Sequence, residues 1–245
     1  MSDYRQRIYE KYASCHQSNS LTFDPVRARK WGLSFRQYLR GWLPESKQAQ
    51  IVDLACGDGK LLFLFKELGY SNVTGVDLSP EQVQIAKQVN DTVEQRGVLD
   101  FLREHPAQFD LITALDLIEH LTKDEVLELL DGCREALKPG GRLVLQTPNA
   151  ESPWGLQVRY GDFTHEVCFT PNVLCRLLEL CGLVNPQPRE LGPVALGYSF
   201  TCSVRHVFWR ILRNFVRIYN IIETGSVGSG VMTRVFIVSA QRLQP

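Results

Sequence analysis

The segment that most constrains the chain is Asp53-Leu54-Ala55-Cys56-Gly57-Asp58-Gly59, which leaves one predicted strand and enters a predicted helix. Small residues at such a turn let a ligand approach the backbone where the first N–H groups of a helix are unpaired. The next predicted strand ends in Gly75-Val76-Asp77, placing a carboxylate 18 positions after Gly59. An acid at that separation accepts both hydrogen bonds of a ribose diol. Together the turn and the acid describe a nucleotide-type site at one end of a layered α/β sheet.

The rest of the chain agrees with that layering. From about residue 51, short β-branched runs alternate with helical patterns. Strands are predicted at 51–54, 73–77, 92–95, 109–114 and 142–147, with a last one at 231–240. Ser79-Pro80 starts a helix, Thr122 and Glu125 form a capping box, and Lys138-Pro139-Gly140-Gly141 reads as the turn that stops the helix after it. Residues 147–170 read as a long loop, and Thr170-Pro171 opens a helix that runs to Cys181. Residues 1–48 are expected to form an N-terminal helical extension and 49–245 the main domain, with a helical insertion at 200–225 ahead of the last strand. A chain of 245 residues with 44% hydrophobic and 22% charged side chains suits one elaborated domain and excludes disordered, collagen-like and disulfide-scaffold classes.

A dinucleotide fold also has a glycine-rich turn and a following acid. Its fingerprint needs a third small residue where this chain has Leu62, and Asp53 and Asp58 put negative charge where a pyrophosphate would sit. A sulfonium and an α-ammonium suit that charge better. The ordered set D-L-A-C-G-D-G, G-V-D-L-S, F-D-L-I-T-A-L-D and L-K-P-G-G-R-L, spread over residues 50–240, resembles the class I S-adenosylmethionine-dependent methyltransferases. That resemblance implies a Rossmann-like, doubly wound, mostly parallel sheet of seven strands. It further implies S-adenosyl-L-methionine as cofactor, with Gly57 and Gly59 passing its methionine part, Asp53 and Ala55 on the loop that holds its ammonium group, and Asp77 on the ribose. Leu78, Val98, Leu99 and Leu115 would line the same site, Leu99 standing near adenine where the family usually has an acid. A nicotinamide-dependent oxidoreductase, and a cofactor-binding subunit without chemistry of its own, are the alternatives.

The acceptor side is expected around Asp116, Glu119 and His120, which spacings of three and four put on one face of a helical turn. His165, in the phrase Asp162-Phe163-Thr164-His165-Glu166, joins them from the long loop. This D-x-x-E-H set with a later histidine resembles the metal-dependent small-RNA 2′-hydroxyl methyltransferases and the ubiquinone-pathway O-methyltransferases. The phrase D-F-T-H-E followed by F-T-P resembles glycan-tailoring methyltransferases. Two carboxylates and two histidines serve equally as acid/base groups, as ligands to Mg, Mn or Zn, or as braces for the helix start. O-methylation of a carbohydrate or other small-metabolite hydroxyl is the expected reaction. His16, His105 and His206 read as surface residues, and Cys56, Cys133, Cys175 and Cys181 as small core hydrophobes.

Charge is uneven: nine basic against four acidic side chains in 1–48, eleven against twenty-one in 49–181, and seven against two in 182–245. With a balanced total, no nucleic-acid partner is expected. Seven cysteines without a C-x-x-C pair and the absence of a signal-like or membrane-spanning stretch suggest a cytoplasmic protein. Arg205, Arg210, Arg213 and Arg217 punctuate the apolar helical pattern of the insertion, which fits a lid, a partner face, a membrane-surface helix or plain packing.

Overall fold

Strands covered on both faces need nearly unbroken apolar runs, and Gln50-Ile51-Val52-Asp53-Leu54 is such a run at the centre of the sheet. In the computed structural model, which describes residues 3–11, 21–192 and 199–244, seven strands form one sheet. They are β1 (Gln50–Leu54), β2 (Asn72–Asp77), β3 (Val93–Gln95), β4 (Phe109–Leu115), β5 (Leu137–Pro148), β6 (Leu183–Glu190) and β7 (Val235–Arg242), in the order β3-β2-β1-β4-β5-β7-β6. β7 runs antiparallel to β5 and β6, and the remaining pairs are parallel. The chain winds outward in opposite directions from β1, opening a crevice at the carboxyl ends of β1 and β4.

The helices are α1 (Asp3–Tyr9), α2 (Pro25–Tyr38), α3 (Lys60–Glu67), α4 (Pro80–Ala86), α5 (Val98–Glu104), α6 (Lys123–Ala136), α7 (Gly155–Arg159), α8 (Pro171–Leu180) and α9 (Phe200–Thr224). One face of the sheet packs Ile51 and Leu111 against Phe35 of α2, Leu62 and Phe65 of α3 and Val83 of α4. The other packs Val52 and Ile112 against Phe101 of α5, Leu129 and Leu130 of α6 and Leu174 of α8. The caps fall where the sequence puts them: Ser79 receives Gln82 N–H, and Thr122 and Glu125 bond reciprocally.

Several expectations change. The last strand starts at Val235 because the Asn149 side-chain amide donates to the carbonyls of Val231 and Thr233, at 2.9 Å each, and takes that stretch out of the ladder. β6 is the seventh strand that the resemblance implies and the sequence pattern does not place: Pro186 and Pro188 mask it, and both are tolerated because the strand lies at the sheet edge. The segment 138–141 is a bulge inside β5 rather than a turn ahead of it, since Leu137 pairs with Phe109 and Arg142 already pairs with Leu111. The stretch read as a loop from 147 to 170 contains α7. His105 is half-buried and stacks on Phe101, His206 is half-buried on α9, and His16 lies outside the described residues. Cys56, Cys133 and Cys181 are buried and Cys175 is half-buried.

The bulge leaves no room for a side chain at Gly141, where a Cβ would sit 2.8 Å from the Lys138 carbonyl oxygen and 2.9 Å from that of Phe109. Gly141→Ala is expected to lower stability by about 1–3 kcal/mol and Tm by roughly 2–12 °C, as read by calorimetric melting.

Candidate functional site

A cavity of about 540 Å³ opens at the carboxyl ends of β1, β2 and β4. The glycine turn forms one wall. Ala55, Gly57 and Gly59 all have positive φ, which two glycines accept at no steric cost. Asp77 ties this turn to the end of β2: its Oδ2 accepts Gly57 N–H at 2.9 Å and its Oδ1 accepts Ser79 N–H at 2.8 Å. Burial raises the pKa of Asp77, and the backbone donors of Ser79, Gly57 and Leu78 oppose the rise. Asp53 lies below the turn and accepts the Thr113 hydroxyl at 2.6 Å. Burial, followed by the neighbouring Asp77 charge, lifts the Asp53 pKa to about 7 despite that bond.

Eight of the nine residues expected on the cofactor side line this cavity: Asp53, Ala55, Gly57, Asp77, Leu78, Val98, Leu99 and Leu115. Gly59 does not. Its absent Cβ lets the start of α3 approach Ala86 of α4, whose Cα would lie 3.1 Å away. The sequence reading missed Asp100, one position beyond Leu99 and also on the cavity wall, as well as Arg5, Tyr9 and Trp31 from the N-terminal helices. Asp100 had a signal in its register with Leu99, whereas nothing in the local sequence marks Arg5. It is brought in by a bidentate bond to Glu125, 2.9 Å to each oxygen, on the first turn of α6. Gln82 and Gln146, also on the wall, each hold a buried side-chain oxygen that no donor in the described residues claims.

The acceptor-side residues divide. Asp116 is not on a helical turn with Glu119 and His120. It precedes the short 3-10 helix Ile118–His120, has φ +52°, and accepts the Gln146 amide at 2.8 Å. Glu119, His120 and His165 do come together, with one ligand atom from each inside a 4.8 Å group that does not include Asp116. Glu119 is 1% exposed; its Oε2 accepts the Thr147 hydroxyl and its Oε1 has no hydrogen-bond partner among the described residues. Burial, reinforced by Asp116, pushes its pKa well above the usual carboxylate range.

His120 is the member of the trio that lines the cavity. Thr164 Oγ1 donates to Asp162 at 2.6 Å and lies 2.8 Å from His120 Nδ1, so Nδ1 carries the proton and Nε2 keeps its lone pair. Burial, helped by the neighbouring His165, holds the His120 pKa down at about 4. His165 likewise directs Nδ1 to the Arg159 carbonyl at 3.2 Å, with its ring centroid 4.8 Å from that of His120. The loop is stitched down by Glu166 and Val167 N–H groups on the Glu119 carbonyl oxygen, at 2.8 and 3.1 Å.

Comparisons with known proteins give the family and the fold. A family model described as a methyltransferase domain matches residues 26–187. The ubiquinone biosynthesis O-methyltransferase of Xanthomonas campestris pv. campestris (strain B100) is 35% identical over 107 residues, covering 41% of this chain and 44% of that protein. The protein of the same description from Xylella fastidiosa (strain M23) is 34% identical over 164 residues, 60% of this chain and 61% of its own. The chain thus spans under half of the Xanthomonas relative and under two thirds of the Xylella one. Among solved structures, a SAM-dependent methyltransferase from Archaeoglobus fulgidus superposes with TM-score 0.63 at 22% identity, covering 98% of this chain and all of that one. This likeness shows the fold. The nicotinamide alternative falls with these matches, in keeping with Leu62, which is fully buried where a dinucleotide site has its third small residue.

The raised pKa of Asp53 carries a sign. Its carboxyl is neutral below about pH 7, so a ligand ammonium that needs the carboxylate must displace a proton there and none above. Affinity for S-adenosylhomocysteine is therefore expected to fall by up to about tenfold per pH unit as pH drops below 7. Titration calorimetry in buffers of different ionisation enthalpy should show proton release, and Asp53→Asn should abolish it.

Proposed function

The chain belongs to the class I S-adenosylmethionine-dependent methyltransferases, and from that premise we propose that it methylates a hydroxyl oxygen on a carbohydrate or another small metabolite. The observation that carries the reading is His120, which lines the cavity that Asp77 and the glycine turn also line and keeps an unprotonated Nε2 beside it. The similarity to ubiquinone biosynthesis O-methyltransferases supports oxygen as the acceptor atom.

On this reading Asp77 receives the ribose hydroxyls and Asp53 the ammonium group, while Leu78, Val98 and Leu99 enclose the adenine. Bound there, the cofactor would supply an electrophilic methyl on sulfonium sulfur for in-line displacement by the acceptor oxygen, with the demethylated thioether as leaving group. The acceptor proton must leave, and a hydroxyl is a weak nucleophile until it does.

The site also fits a divalent cation. Glu119 Oε1 is a buried oxygen without a donor, and both histidines direct Nδ1 to a protein oxygen while Nε2 stays unclaimed, the arrangement ordinary for metal-ligating imidazoles. Glu119, His120 and His165 would hold the ion, which would lower the pKa of an acceptor hydroxyl. Asp116 would then act through Gln146 at the cavity wall and not as a ligand.

Two experiments test this reading. Asp77→Ala removes two charge-assisted bonds to the ribose and should weaken S-adenosylmethionine binding about a hundredfold or more by calorimetry. An unchanged affinity would refute the cofactor assignment. In an acceptor screen with labelled cofactor, chelator should abolish turnover and Mg or Mn restore it, while His120→Ala and His165→Ala lose turnover and still bind cofactor. Turnover indifferent to chelator would assign the proton to His120 Nε2.

A further inference from the structure

α9 is amphipathic, yet it is seated the wrong way round for packing. At about 100° per residue, Phe208, Ile211, Phe215, Ile218, Tyr219 and Ile222 share one arc of about 100°. These six are 49–79% exposed, and no residue of the 25-residue helix is buried. The opposite arc faces the domain and is mostly polar: His206, Trp209, Arg213 and Asn220 are half-buried, Arg213 pairs with Glu190 at 3.2 Å, and Trp209 lies against Gly192. Plain packing, in which arginine stems cover an apolar face, does not describe this helix, because its apolar face points away from the protein.

We propose that α9 is an in-plane anchor that lays its outward stripe on an anionic lipid surface. Charge selects this occupant. Exposed Arg205 and Arg210 lie on opposite flanks of the stripe, where their stems follow the apolar face and their guanidinium groups meet lipid phosphates. The helix carries no acid before Glu223, so a second copy laid across the stripe would set arginines against arginines. A helix of this length, about 38 Å, is interrupted by four arginines, and no described helix is long and apolar enough to cross a membrane. The helix therefore lies on the surface. Beyond its C-terminal end, Ser229 N–H donates to Glu151 at 2.9 Å, joining the anchor to the segment that carries exposed Trp154, Leu156 and Tyr160.

The test is co-sedimentation of the full chain with phosphatidylcholine vesicles, with and without phosphatidylglycerol, over a range of salt. The protein should pellet with the anionic vesicles and be released as salt rises. Phe208→Ser with Phe215→Ser should abolish pelleting. Arg205→Gln with Arg210→Gln should weaken it about 25-fold, at about fivefold per arginine. All four positions are exposed, so melting temperature and S-adenosylhomocysteine affinity should stay at the parent values, and neither readout depends on the acceptor. A chain that stays in the supernatant with anionic vesicles at low salt overturns the proposal. So does a dimer in sedimentation equilibrium that the phenylalanine pair breaks while vesicle binding is absent.

Discussion

The carboxylate of Asp77 is the contact on which the cofactor side depends. One oxygen holds the glycine turn after β1 and the other holds the turn into α4, so two strand ends on the cavity wall are fixed through a single side chain. A carboxylate offers about four acceptor positions, and two backbone donors leave capacity for a diol. The cost is burial of a charge. Asp53 bears a similar cost: burial first, and the neighbouring Asp77 charge after it, lift its pKa to about 7.

The cavity wall carries both signs of charge. Asp58 pairs with Lys60 and Arg5 with Glu125, while the carboxyls of Asp53, Asp77 and Asp116 stand on the same wall, beside the amide oxygens of Gln82 and Gln146 that no donor in the described residues claims. Near those three carboxyls a positive centre gains more than an anion does. The shape of the turn agrees. Leu62 fills the space that Gly75 leaves, since a Cβ on Gly75 would stand 2.7 Å from Leu62 Cδ1.

What the sequence could reveal follows the range of the interactions. The turn and the caps on α4 and α6 depend on neighbours a few positions away, and Asp77 ends the strand that follows the turn, 20 positions from its partner Gly57, so spacing exposes them. Asp116 misled the helical reading because a left-handed residue breaks the three-and-four periodicity, and what holds it there is Gln146, on another strand. Arg5 reaches the cavity through Glu125, 120 positions away, and β6 was hidden by its own prolines. The orientation of α9 was illegible for a different reason: periodicity shows that a helix has two faces, and only tertiary contacts show which one is turned inward.

Residues 151–158 connect two fixed points. Behind them, Ala150 N–H bonds the Phe169 carbonyl; ahead, the Arg159 guanidinium holds the carbonyls of His165 and Glu166. The histidine pair hangs from the 3-10 helix and from Thr164, not from this connection. The stretch between these points can therefore change in length or sequence while the histidine pair keeps its place.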